Sequence, residues 1–113
     1  MKRNFILMLG AAVVSLTYCT SSKKISSAPA AVSYEESIQP VVATSCGPCH
    51  LPSKGGKKPP LESYTDVAYN VDDIIRRIEM HPGQKGFMPM KRERLSDSAI
   101  NLFKEWKSGG LAK

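Results

Sequence analysis

The chain has 113 residues, room for one small domain plus any processing segment. Much of its 42% hydrophobic content falls in the first twenty positions, so the remainder buries little surface and needs something to staple it. A large enzyme, a multi-domain protein and a repeat array are excluded, and three Cys are too few and too unevenly placed for a disulfide scaffold. The net charge of +6, or +4 without Lys2 and Arg3, is mild and lacks the dense basic stripe of a nucleic-acid binder.

Lys2 and Arg3 form a short positive region, followed by an apolar run over residues 5–16. That run fits the core of an export signal and is too short for a comfortable membrane span of about 20 residues. The bland alternative is a buried helix of the mature fold, but no other segment has these flanks. Leu16-Thr17-Tyr18-Cys19 resembles a bacterial lipobox, with Tyr18 where a small residue is usual. The expectation is a signal peptide over 1–18, cut before Cys19, with Cys19 lipidated. Ordinary signal-peptidase cleavage and an uncleaved anchor remain open. More than one acyl chain gives stable membrane attachment, whereas a single chain is marginal. Residues 19–32 are rich in Ser, Ala and Lys, without a hydrophobic period, and read as a flexible tether. The folded domain is then 33–113.

Ser33-Tyr34-Glu35-Glu36 reads as a capping box that starts a helix. Ile38, Val41 and Val42 mark its apolar face, and Pro40 is expected to kink or shorten it. At its end stands Cys46-Gly47-Pro48-Cys49-His50. A C-x-x-C-H run is the attachment signature of c-type haem. Two thiols three positions apart on a tight turn can reach the two vinyl groups along one porphyrin edge, and the next residue projects an imidazole toward the ring face. Cys46 and Cys49 are therefore expected to carry thioethers and His50 to be the proximal iron ligand.

Three other readings compete. Cys-Gly-Pro-Cys is also the redox motif of thioredoxin-type oxidoreductases, but it belongs after a buried strand, and no strand-like run occurs in the mature chain. Cys46, Cys49 and His81 could join a zinc site, yet a fourth ligand is missing. A plain structural disulfide is the third.

Lys54, Lys57 and Lys58 follow the motif in a Gly- and Pro-rich stretch. A helical turn is expected near 64–68. Asn70 then reads as the cap of a second helix, with Asp72 and Asp73 complementing its dipole. Val71, Ile74, Ile75 and Ile78 form its stripe, and His81-Pro82-Gly83 ends it. Gly86-Phe87-Met88-Pro89-Met90 offers a sixth iron ligand. Met88 is the first choice, because Pro89 biases it toward extended backbone and stiffens the loop. Met90, His81, Met80 and an open position are the alternatives. Ser96 caps the last helix, with Asp97 in its first turn and Leu95 and Ile100 placed as a hydrophobic staple. Ala99, Leu102, Phe103 and Trp106 form its stripe, and Gly109 and Gly110 stop it.

The stretch from Tyr34 to roughly Gly109 resembles the small monohaem class I c-type cytochromes. The likeness rests on a helix leading into the C-x-x-C-H run, a Met88-Pro89 pair in a loop, and an aromatic residue in the terminal helix. It implies an all-α fold, a bundle of three to four helices wrapped around one covalently attached haem c, with the first and last helices crossing. Trp106 would sit at that crossing, although the first helix lacks the Gly common there.

The function expected is a one-electron carrier, not an enzyme, with His50 and Met88 as axial ligands, in respiratory electron transfer of a bacterial cell envelope. It would be held on the periplasmic side through Cys19 and would exchange electrons with protein partners, not nucleic acid. Lys54, Lys57 and Lys58, with Lys91, Arg92 and Arg94, would rim the haem edge for acidic partners, or else be plain solvated loops. Tyr64, Tyr69 and Phe87 are candidates to pack on the porphyrin or to hydrogen-bond a propionate, with nothing to assign them individually. A five-coordinate haem peroxidase or gas sensor, and a haem-free thiol–disulfide oxidoreductase, are the competing functions.

Overall fold

The first helix begins where Ser33 stops the chain from extending. Its backbone is extended (φ −109°, ψ 158°) and its hydroxyl accepts the Glu36 N–H at 3.3 Å, satisfying one of the donors a helix start leaves free. The computed structural model describes residues 31–113. The expected signal peptide, Cys19 and the tether up to residue 30 lie outside the described residues. Val32, the last residue of that tether, already packs against the core.

Helix α1 covers residues 34–46. It consists of a wide-turned stretch Tyr34–Ile38, an α-helical turn Gln39–Val41, and a second wide stretch Val42–Cys46. Pro40 does not break it. Proline has no N–H and its ring crowds the carbonyl four residues back. The backbone widens instead, and the Gln39 N–H reaches back five residues to Tyr34 O. Such widenings insert a residue without ending a helix. Thr44 Oγ1 donates to the Pro40 and Val41 carbonyls at 2.9 and 3.2 Å, covering two acceptors near the interruption.

After a single turn at Pro52–Lys54, helix α2 runs Tyr64–Tyr69. Ser63 and Asp66 form a reciprocal capping box at 3.1 and 3.0 Å, which holds the Asp66 carboxyl below its usual range. Helix α3 follows at Val71–Glu79 and buries Val71, Ile74 and Ile78. Asn70 stands at the N-cap position of α3, as expected, but its side chain makes no capping bond. Its amide N–H donates instead to Asp66 O at 2.7 Å, at the end of α2 one residue earlier. Helix α4, Asp97–Ser108, is capped by Ser96, whose hydroxyl accepts the Ala99 N–H at 3.2 Å. It buries Ile100, Phe103 and Trp106. The Gly109 N–H closes it on Glu105 O at 2.8 Å, and the Gly110 N–H on Lys107 O at 3.2 Å. The described residues are thus helices and loops, with no strand. No helix among them is long and apolar enough to cross a membrane.

α4 joins the other elements. α3 packs along it, with Lys104–Glu79 and Lys107–Asp72 ion pairs at the exposed edge, where such pairs add little. Toward its C-terminal end, Trp106 is completely buried. The Tyr34 ring lies 5.8 Å from it and the Tyr64 ring 6.0 Å, with Tyr34 and Tyr64 edge to face at 5.4 Å. The C-terminal tail closes this cluster. Ala112 O accepts both Trp106 Nε1–H at 2.7 Å and Tyr34 N–H at 2.9 Å, and Leu111 O accepts the Tyr64 hydroxyl at 2.8 Å. The first helix, the last helix and the tail therefore meet at one indole.

Replacing Trp106 with Ala removes the largest fully buried side chain and one of the two hydrogen bonds that Ala112 O accepts. A loss of about 3–5 kcal/mol in the free energy of denaturant unfolding is expected, and a change under about 1 kcal/mol would contradict this account of the core.

Candidate functional site

α1 hands the chain to a tight turn. The His50 N–H bonds to Cys46 O at 3.1 Å and the Leu51 N–H to Pro48 O at 3.0 Å. Gly47 is needed there, since a Cβ would come within 2.8 Å of both Ala43 O and Leu51 Cδ1. The loop that follows folds back over the turn. The Gly56 N–H bonds to Leu51 O at 3.0 Å, Lys58 N–H to Cys49 O at 3.1 Å and Leu61 N–H to His50 O at 2.9 Å. Gly56 allows this approach, because a Cβ on it would lie 2.4 Å from Pro48 O and 2.6 Å from Cys49 O.

The folded-back loop brings Pro59 O within 2.7 Å of His50 Nδ1. A carbonyl only accepts, so Nδ1 must carry the proton. In its neutral form the ring then keeps its lone pair on Nε2, and the hydrogen bond fixes ring orientation and raises the basicity of that nitrogen.

His50, Cys46, Cys49 and Met88 all line one cavity of about 550 Å³, within the usual size of ligand sites, roughly 300–1,000 Å³. Its apolar wall includes Leu61, Ile74, Ile78, Leu95 and Phe103. Asp73, Arg77, Lys58, Lys91 and Arg92 supply its charged portion. The sequence therefore places on one cavity four side chains that span 43 positions. The alternatives for the downstream ligand separate: Met90 also lines the cavity but is 57% exposed, whereas His81 is exposed and neither it nor Met80 is on the lining.

The cysteines differ. Both thiols are free, Cys49 exposed and Cys46 half-buried. Burial pushes the Cys46 thiol up to about 11, and the nearby Arg92 charge opposes this only in part. A thiol–disulfide enzyme needs the reverse, a thiolate stabilised at a helix N-terminus or by cations. Cys46 instead closes a helix at its C-terminal end, where the backbone dipole disfavours negative charge. Among the described residues, no group of three His, Cys, Asp or Glu side chains is arranged to hold a metal ion. The Cys46, Cys49 and His81 zinc set does not assemble, because His81 lies beyond the end of α3 on an exposed turn, away from this cavity.

The aromatic candidates are placed elsewhere. Tyr64 is committed to Trp106 and Leu111 O, Tyr69 is 88% exposed, and Phe87 is buried off the cavity lining. Phe103 is the aromatic residue on the wall. It belongs to the stripe of α4, and only packing reveals that this stripe serves the core at Trp106 and the cavity at Phe103. Of the basic residues, Lys58, Lys91 and Arg92 line the cavity, and Lys54, Lys57 and Lys58 line an adjoining cleft of about 260 Å³ beside Cys49. Arg94 pairs instead with Asp97 at 2.8 Å. The Pro59 carbonyl was not legible as a partner of His50, since nothing in a Pro-Pro dipeptide states where its carbonyl points.

Compared with known proteins, the chain matches no family model, no curated protein and no solved structure.

Two outcomes are expected. Gly56→Ala should cost about 1–3 kcal/mol of stability, because the atoms it meets are backbone and cannot swing aside; an unchanged unfolding midpoint would contradict the folded-back loop. In unmodified protein at pH 8, a thiol at about 11 is ionised roughly a hundredfold less than a free cysteine. Iodoacetamide, followed by mass spectrometry, should therefore modify Cys46 far more slowly than a free cysteine, with the rate climbing as pH approaches 11. Ready alkylation of Cys46 at pH 8 would contradict its burial.

Proposed function

We propose that this protein is a one-electron carrier built on a covalently attached haem c, of the small class I cytochrome c type that its sequence resembles. The observation that carries the reading is the convergence on one apolar cavity of Cys46, Cys49, His50 and Met88, with His50 held as the Nδ1–H tautomer by Pro59 O. The donor set suits the group: two thiols for thioether bonds, one neutral imidazole nitrogen and one thioether for iron, in a largely apolar pocket of ligand size.

A haem bound there supplies the one-electron ferrous–ferric couple. The chain's residues would do the rest. His50 offers Nε2, and Pro59 O keeps its ring from rotating and makes it a stronger donor. Met88 offers sulfur, and Met/His ligation raises the reduction potential. Leu61, Ile74, Ile78, Leu95 and Phe103 exclude water, which lowers the local dielectric and disfavours added charge. His50 is held by the folded-back loop and Met88 by its tether to α3, so both would stay in place between oxidation states and electron transfer would need little rearrangement. Burial of the macrocycle also adds apolar contact, at about 25 cal/mol per Å², to a domain short of core. Lys58, Lys91 and Arg92 at the cavity, with Lys54 and Lys57 beside it, favour encounter with acidic redox partners. The reading includes export to the bacterial cell envelope and attachment to the membrane through lipidated Cys19, on the periplasmic side.

The test is the protein matured with a cytochrome c assembly system. Covalent haem is expected, retained in denaturant and lost when Cys46 and Cys49 are both replaced by Ala. Met88→Ala should abolish the Met–iron charge-transfer band and lower the reduction potential. A peroxidase or gas sensor with open iron would show neither change. A colourless product with both thiols free would sink the proposal.

A further inference from the structure

The segment carrying Met88 belongs to the connection 80–96, which runs from α3 to α4 without a helix or strand of its own. Connections of that length are unusual in small domains and need tertiary contacts to hold one conformation. One residue of α3 supplies two. The last carbonyls of a helix lack partners within it, and one of them, Arg77 O, accepts the Met88 N–H at 3.3 Å. The side chain of the same residue reaches the same segment, with Arg77 Nη1 donating to Gly86 O at 3.3 Å. Gly86 adopts φ +99°, a conformation that favours glycine, and a Cβ there would lie 3.5 Å from Arg77 Nη1. Between the two tethered positions, Phe87 is buried.

The guanidinium is itself anchored. Arg77 Nε donates to Asp73 Oδ2 at 2.5 Å, one turn earlier on α3, and Asp73 also pairs with Arg76. These pairs hold the Asp73 carboxyl below its usual range. Asp73, Arg77 and Met88 all line the cavity.

We infer that Arg77, anchored by Asp73, is a positioning residue that clamps the 86–88 segment onto α3 and thereby keeps the Met88 thioether at the cavity. The inference rests on the reading of Met88 as an iron ligand. The fork of the guanidinium is what serves: one nitrogen faces the carboxylate while another faces a carbonyl. A lysine ammonium keeps the charge but not that planar two-sided geometry.

The experiment uses the haem-loaded full chain with Arg77→Ala, Arg77→Lys and Asp73→Asn, beside Met88→Ala. Four quantities are read: the Met–iron band as a function of pH, the affinity for added imidazole, hydrogen exchange at the Met88 amide, and helix content by circular dichroism. With the clamp removed, imidazole should bind about tenfold more tightly and the Met88 amide should exchange about tenfold faster, as expected for loss of a hydrogen bond from a charged group. The Met–iron band should disappear at lower pH, with helix content unchanged. Asp73→Asn should move every readout the same way by less, and Arg77→Lys should fail to restore it. Should Arg77→Ala not fold, Asp73→Asn and Arg77→Lys decide. Wild-type imidazole affinity and exchange in Arg77→Ala and Asp73→Asn, or full rescue by lysine, would overturn the clamp while leaving the ligand reading intact. A Met–iron band that survives in Met88→Ala would overturn the ligand reading, and the clamp with it.

Discussion

The hydrogen bond between His50 Nδ1 and the Pro59 carbonyl is the contact on which the site depends. It joins two stretches nine residues apart, and it forms only because the intervening chain reverses over the Cys46–His50 turn. The reversal needs Gly56, where a backbone without Cβ passes close to the Pro48 and Cys49 carbonyls. It also needs the three backbone hydrogen bonds that the returning strand of loop makes to Leu51, Cys49 and His50. Remove that packing and the imidazole loses its fixed tautomer and direction. The turn then displays two thiols and a freely rotating ring.

α4 connects this site to the rest of the molecule. Toward its C-terminal end, Trp106 gathers Tyr34, Tyr64 and the terminal carbonyls into a cluster that seats α1 against α4. One turn earlier, Phe103 forms part of the cavity wall. The same apolar stripe thus serves as core and as lining. In a domain with so little interior the two roles cannot be separated, and a bound macrocycle would complete the core it enters. The cavity also explains why Cys46 is a poor acid: the surroundings that would shelter an organic ring from water also disfavour a thiolate.

The second side of the site depends on arginines rather than on helix. The connection 80–96 is held to α3 by Arg77 and to α1 by Arg92, whose Nη1 donates to Thr44 O at 2.9 Å. A planar, permanently charged group that bonds backbone carbonyls can fix an irregular loop without a hydrophobic core beneath it. Three of the basic residues near the cavity therefore have structural work: Arg77, Arg92 and, through Asp97, Arg94. Lys58 and Lys91 remain for the solvent-facing field.

Local patterns determined a good deal. The caps at Ser33 and Ser96, the stripes of α3 and α4, the glycine stop after Ser108 and the Cys-x-x-Cys-His run were all legible in the amino-acid sequence, because each is set by neighbours within one or two turns. Pro40 announced an interruption, and packing decided its form: the helix widens around the proline and continues to Cys46. Asn70 holds the cap position of α3 as expected, but its side chain serves the end of α2, which local pattern does not state. Tyr64 and Tyr69 offered themselves as cavity aromatics on composition alone, whereas Phe103 holds the place. Tertiary structure decided what local pattern cannot encode: that Met88 rather than His81 reaches the cavity with His50, that Pro59 orients the imidazole, and that Arg77 grips the loop. Each of these is a contact between distant positions, and such contacts depend on where a carbonyl or side chain is aimed after the helices have packed.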